Sequence, residues 1–263
     1  MTQPPPDIAT RNRIVPGAAA DLLAAASYRA LIGDLRELSQ VDWNLATDCA
    51  GWKVRDMVAH LVGAAQGHAS LPVFLRQYLW GRRHRGDFRG SGLDAMNQGQ
   101  INTLRATTDQ DLLGLLDDFA PKAVHGRGRR SRLIGWAPLS LDKAGSWYEG
   151  MPTKTTMGEL CSVILTRDVW MHRLDLARAR NTTPTLDPET DATIVADLVA
   201  DWAARHRQPF DLTLTGPAGG TFRAGQDGQR LNLDALDFAR VMAGRKPETD
   251  VVESPLWDTK VLF

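Results

Sequence analysis

Within LTRDVWMHRLDLARA (165–179), Asp168, His172 and Asp175 recur at intervals of four and three residues. In an α-helix those spacings stack side chains on one face. At about 100° per residue the same stripe takes in Cys161, Ile164, Leu165 and Met171, whereas Arg167, Arg173, Arg178 and Arg180 are expected to point elsewhere. The polar trio therefore falls on an apolar side of the helix, where a carboxylate without a partner is costly. A second imidazole is available in WKVRDMVAHLVGAAQGH (52–68), where His60 lies at the edge of an arc of Val54, Val58, Leu61, Val62 and Ala65. Gly63, Ala64 and Gly67 share its side, and such small neighbours are expected to leave room for a pocket wall inside a helix bundle. Two imidazoles and one carboxylate, from His60, Asp168 and His172, suit zinc with an open fourth position. The same set matches non-haem iron. The alternative is that each group is hydrogen-bonded in the core, and spacing alone favours that alternative for His60.

The elements that must hold these residues are mostly helical up to about residue 180. ADLLAAASYRALIGDLRELSQ (20–40) is an amphipathic helix rich in Leu and Ala. Residues 52–68 form a second helix, and DAMNQGQINTLRATT reads as a third. A fourth runs from Asp109 to about His125, with Thr108 and Asp111 placed as a capping pair. Glycine and charge make 82–93 read as a mobile loop, and 126–155 as irregular. His84 and His125 then sit in solvated loops, as do the basic clusters RRHRGDFR (82–89) and RGRRSR (127–132). Thr156 and Glu159 have the spacing of a capping box that starts the helix carrying Asp168. Trp43, Trp52 and Trp170 read as core or pocket-wall residues.

After Asn181 the pattern changes. TPTLDPETDATIVADLVADWAARHRQP is one helix, with Asp187 as N-cap and Pro188 at its first position, and His206 near its end is expected to cap that helix. FDLTLTG alternates as a half-buried strand does. TFRAGQDGQRLNL reads as one more strand with a Gly-rich turn, and NLDALDFARVMAGRKP as a final helix ended by Gly244. The architecture expected is mixed: a loose proline-rich arm (1–18), a helical bundle (19–180) and a small α+β domain (181–263) packed on the bundle's open side.

The bulk composition excludes several classes of function. The chain has 263 residues, 43% hydrophobic and 24% charged, and its 31 basic residues equal its 31 acidic ones. That balance favours neither nucleic acid nor an anionic membrane as partner. No apolar run approaches the length of about 18 residues that spans a bilayer, and MTQPPPDIATRNRIVPG lacks the apolar core of a signal peptide. Cys49 and Cys161 lie far apart and outside any metal-type pair, which fits a reduced, cytoplasmic setting.

TDCAGWKVRDMVAHLVG (47–63) resembles the first metal-binding segment of the mycothiol-dependent maleylpyruvate isomerase family, and TRDVWMHRLDLARA its second. DFARVMAGR (237–245) is similar to the close of that family's C-terminal domain. The resemblance covers about 20 to 263, in order. It implies an actinobacterial-type protein with a DinB-like four-helix bundle and a sterol-carrier-like α+β domain. It also implies a divalent metal, zinc fitting best, and mycothiol as thiol cofactor. The family's first-segment histidine and its Glu-x-x-x-His pair become His60, Asp168 and His172 here, with the carboxylate one methylene shorter. Arg245 matches the family's C-terminal arginine, expected to face an acidic substrate, which a guanidinium binds bidentately. Arg240 is a lesser candidate for the same task. Lys53 stands where the family often has a capping Ser or Thr, so Asp56 is expected to pair with Lys53 instead of closing a capping box. Asp175 is placed to orient His172 through its other ring nitrogen, or else to pair with an arginine such as Arg178. The chemistry implied is isomerase or transferase chemistry through a metal-held thiolate. Two other readings stay open: a binding or regulatory module with a degenerate metal site, and a thiol-independent metal hydrolase.

Overall fold

In the computed structural model, residues 13–141 and 152–263 are described; most of the N-terminal arm and part of the 126–155 segment lie outside them. The described chain divides into two compact units, one containing 15–141 and 153–184, the other containing 13–14, 152 and 185–263.

The larger unit is a helical bundle. Its helices are α1 (Ala18–Arg36), α2 (Val54–Ala69), α3 (Leu71–His84), α4 (Gly92–Thr103), α5 (Asp109–Ile134), the short α6 (Met157–Glu159) and α7 (Leu165–Ala179). Helices α1, α2, α5 and α7 pack on one another as the four-helix core, and the α3–α4 pair lies against α2. Apolar residues at helical spacing meet in the middle: Leu31 and Leu35 of α1, Val58 and Leu61 of α2, and Leu112 and Leu116 of α5. Each is at most 1% exposed, so together they supply the apolar burial that drives the bundle. Between 20 and 120 the only β-type pairing is a single bridge, Ala46 with Lys53.

Four local readings are corrected here. The stretch taken as a loop over 82–93 is the end of α3, a 3₁₀ turn (Arg85–Phe88) and the start of α4; glycine and arginine content concealed a helix whose apolar residues Leu71, Leu75 and Leu79 are exposed. His84 is accordingly no loop residue: its ring stacks 4.0 Å from that of Trp80. Helix α5 continues past His125 through the RGRRSR cluster to Ile134. His125 stays exposed, but Arg127 is 1% exposed. The helix carrying Asp168 is not uniform either. Thr156 Oγ1 does accept from Glu159 N–H at 3.1 Å, but residues Leu160–Ile164 form a π-helical turn before α7. A π turn shifts the angular register, so the stripe drawn through Cys161 does not run straight into α7. Helix α7 is buried nearly all round. Arg167 and Arg173, expected to point away from the stripe, are 0% and 3% exposed, and Arg173 Nε donates to Asp34 at 2.6 Å.

The smaller unit contains α8 (Thr190–His206), strands β3 (Phe210–Thr215), β4 (Gly220–Ala224) and β5 (Gln229–Asp234), and α9 (Ala235–Met242). A short hairpin of β1 (Pro138–Ser140) and β2 (Lys154–Thr156) precedes them in the other unit. Asp187 accepts from Thr190 N–H at 3.1 Å, so its capping role holds, although the helix proper begins at Thr190. The stretch read as one strand and a turn is two strands: β3 is central, antiparallel to β4 and parallel to β5. Gly228 lies on the connection between them. A Cβ there would stand 2.2 Å from the Phe210 amide nitrogen, so only glycine lets the chain pass under the start of β3. Trp202, fully buried, packs between Phe210 and Phe238 and donates from Nε1 to Leu256 O at 3.0 Å. The chain thus has an N-terminal four-helix bundle followed by a small α+β domain.

Candidate metal centre

The segment before α2 is shaped by a tight turn. Trp52 N–H donates to Cys49 O at 2.9 Å, and Thr47 N–H to Trp52 O at 3.0 Å. Gly51, third in that turn, has φ +80°, the conformation a type II turn assigns to glycine. Lys53 N–H donates to Asp56 at 3.0 Å while Lys53 Nζ reaches Asn44. Asp56 therefore does return to the helix start, contrary to the expectation that it pairs with the Lys53 side chain. The turn fixes Trp52 beside both imidazoles, with ring centroids 5.1 Å from His60 and 6.4 Å from His172. Trp52 is thus a wall of the site, whereas Trp43 and Trp170 are core.

His60 from α2 and Asp168 and His172 from α7 come together. Their ligand atoms all lie within 4.8 Å of one another. His172 Nε2 stands 3.5 Å from Asp168 Oδ1, and the two imidazole centroids are 5.5 Å apart. Zinc bonds to nitrogen and oxygen of about 2.0–2.2 Å make tetrahedral edges of roughly 3.3–3.6 Å. The His172–Asp168 separation of 3.5 Å matches such an edge.

The outer nitrogen of each imidazole is engaged. His60 Nδ1 meets Gln100 Oε1 at 2.9 Å; Gln100 in turn donates to Gln77 at 3.2 Å, and Gln77 to Gly63 O at 2.8 Å. His172 Nδ1 meets Asp175 Oδ2 at 3.0 Å, so one turn of helix is enough for Asp175 to reach the far ring nitrogen. These bonds leave Nε2 of both rings for the centre, the arrangement that orients metal-binding histidines.

The room expected beside His60 is used differently. A Cβ on Gly63 would stand 2.6 Å from Gln100 Cβ, and one on Gly67 2.4 Å from Gln77 Oε1. The two glycines admit the protein's own glutamines, which hold the ring, rather than a ligand. Gly63→Ala is accordingly expected to push α4 from α2 and break the His60–Gln100 bond. The cost is about 1–3 kcal/mol of stability, read by urea unfolding, together with weaker metal binding.

Cys49 was not singled out by spacing, since it stands alone on a loop. It lies 3.8 Å from His172 Nδ1 and donates to Asp175 Oδ2 at 3.5 Å, so Cys49, His172 and Asp175 form a second potential ligand group on the other side of the same ring. The signal available in sequence was its place in the TDCAGW turn. Burial pushes the His60 pKa down to about 4, so that ring is neutral at neutral pH. Burial also works against a charged His172, but Cys49, Asp168 and Asp175 outweigh it and hold that pKa well above the usual histidine range. Arg245 belongs to the smaller unit, just beyond α9, where its N–H donates to Arg240 O at 2.8 Å past Gly244. The Arg240 side chain is 3% exposed and ion-paired with Glu248, which accounts for it structurally. Among the described residues no helix is long and apolar enough to cross a membrane.

Comparison with known proteins bears on the family and the fold. The family model for the mycothiol maleylpyruvate isomerase N-terminal domain matches residues 24–177. The crystal structure of a mycothiol-dependent maleylpyruvate isomerase superposes with a TM-score of 0.55 at 16% identity, covering 90% of this chain and 95% of that one. A variant of that enzyme with one histidine changed to alanine gives the same TM-score and coverage at 15% identity. At such identity the likeness establishes the fold. No curated protein is a significant match. With the family model covering more than half its length, the chain belongs to the mycothiol maleylpyruvate isomerase family.

Proposed function

We propose that the protein is a metal-dependent enzyme in which His60, Asp168 and His172 hold a zinc-class ion and mycothiol serves as cofactor. The reaction is isomerase or transferase chemistry on a small acidic substrate. The observation that carries this reading is the pair of imidazoles with their outer nitrogens tied to Gln100 and Asp175 and both rings within ligand reach of Asp168. A bound divalent metal supplies one thing here: it deprotonates a thiol, whose free pKa is near ~8.5, and so provides a nucleophile at neutral pH.

The chain's own residues do the rest. Gln100 and Asp175 fix the ring orientations, so each ring would present a lone pair at Nε2 once His172 gives up its proton. Asp168 would supply a third ligand and neutralise part of the ion's charge. Trp52 covers the imidazoles with an apolar face, which excludes water and strengthens the electrostatics around them. By family resemblance the Arg245 guanidinium is assigned to a carboxylate of the substrate. Protein prepared with zinc and then dialysed is expected to retain about one ion per chain, and turnover of maleylpyruvate or a related unsaturated acid is expected to require mycothiol. Substoichiometric metal would favour a binding module; activity without thiol would favour a hydrolase.

A further inference from the structure

The bundle interior holds a positive charge that neither the fold nor the metal centre uses up. Arg127 of α5 is 1% exposed. Its Nε donates to Cys161 O at 2.9 Å and its Nη2 to Thr166 Oγ1 at 2.7 Å. Those two bonds tie α5 to the π turn and to the first turn of α7. Among the described residues the third nitrogen, Nη1, is buried and has no hydrogen-bond partner. A guanidinium cannot shed its charge, and leaving it buried and unpaired is costly. A brace between two helices needs donors, but not a charge.

The surroundings link Arg127 to the metal centre. His68, two turns along α2 from His60, has a buried Nδ1 without a partner. Burial and the neighbouring Arg127 and Arg130 push its pKa down to about 3, against the opposing effect of the Asp168 charge. Tyr28 of α1, 3% exposed, has its phenol within hydrogen-bonding reach of the Arg127 side chain and is raised in pKa by burial, an effect that the Asp168 charge adds to. Three elements thus place a guanidinium, a neutral imidazole and a phenol together, next to the residues of the metal centre. Two of the three have a buried nitrogen without a hydrogen-bond partner among the described residues.

We propose that Arg127, with Tyr28 and His68, forms an anion subsite inside the bundle that takes a carboxylate of the substrate. A carboxylate oxygen would accept from Nη1 and satisfy the unpaired charge in a charge-assisted bond. The proposal rests on the reading of the bundle as an enzyme acting on an acidic substrate. It adds that one anionic group is held from within the bundle, on residues that Arg245 does not supply.

The test uses the zinc-loaded full chain and maleate, a small dicarboxylate, as the calorimetric probe. One maleate is expected to bind per chain. Arg127→Met is expected to weaken it about 10- to 100-fold, as for the loss of a hydrogen bond between charged groups, with zinc content unchanged. Tyr28→Phe, which keeps the ring in place, is expected to weaken it about threefold. Arg127→Lys keeps the charge without the fork and should fall between wild type and Arg127→Met; it carries the test should Arg127→Met not fold. Equal maleate affinity in wild type and in the Arg127 variants overturns the subsite. So does a zinc-replete wild type that binds no maleate, a result that leaves the metal reading standing. Maleate bound through Arg127 in a chain that holds no zinc does the opposite: it keeps the subsite and sinks the metal reading.

Discussion

Alanine at His60 or at His172 is expected to reduce bound zinc from about one per chain to a few per cent, while the far-UV circular dichroism stays helical. The two changes remove a ligand in different ways. His60 is neutral at neutral pH because burial depresses its pKa to about 4, so its loss costs a ligand and the end of the Gln100–Gln77 chain. His172 is held protonated in the metal-free site by Cys49, Asp168 and Asp175 against the effect of burial. Metal entry must displace that proton, so zinc affinity is expected to rise with pH as long as His172 remains protonated, and to level off above its raised pKa. The pH slope should vanish in His172→Ala and persist, on a much weaker affinity, in His60→Ala. Metal analysis of dialysed protein and a competition titration over pH 5.5–8 check both points. Full occupancy in both variants would place the metal elsewhere.

How far the sequence carried these conclusions can be traced residue by residue. Asp168 and His172 were legible because their spacing is a helical one and their helix start is marked by Thr156 and Glu159. The bundle and the α+β unit were legible from the change of apolar period near residue 181. Periodicity could not show how the helix bends at Leu160–Ile164, because a π turn depends on packing and not on residue type. Arg127, placed in a solvated loop, was misread for a related reason. Charge predicts exposure on average, but here α5 and α7 have partners that enclose them. The glycines beside His60 were recognised as spacers, and only the fold shows that Gln100 and Gln77 occupy the space. Cys49 was invisible because its partners, His172 and Asp175, lie on a distant helix. Such long-range contacts leave no local pattern.

The second large effect concerns the thiol. Cobalt can stand in for zinc in a site of two imidazoles and one carboxylate, and its visible spectrum reports ligand type and coordination number. With His60, Asp168 and His172 filling three positions, the fourth is the place where mycothiol's sulfur is expected to bind. Adding mycothiol to the cobalt-substituted chain is expected to raise a sulfur-to-metal charge-transfer band that saturates at one thiol per metal. Oxidised mycothiol, which has no free thiol, should raise none. The band should also be absent in His172→Ala, which no longer holds the ion. Cys49→Ser should retain it, showing that the sulfur is the cofactor's and not the protein's own. The most direct measurement of the central claim is therefore this titration on the otherwise unaltered chain. A band that grows to one equivalent of mycothiol is the predicted result, and an unchanged cobalt spectrum at saturating thiol would contradict it.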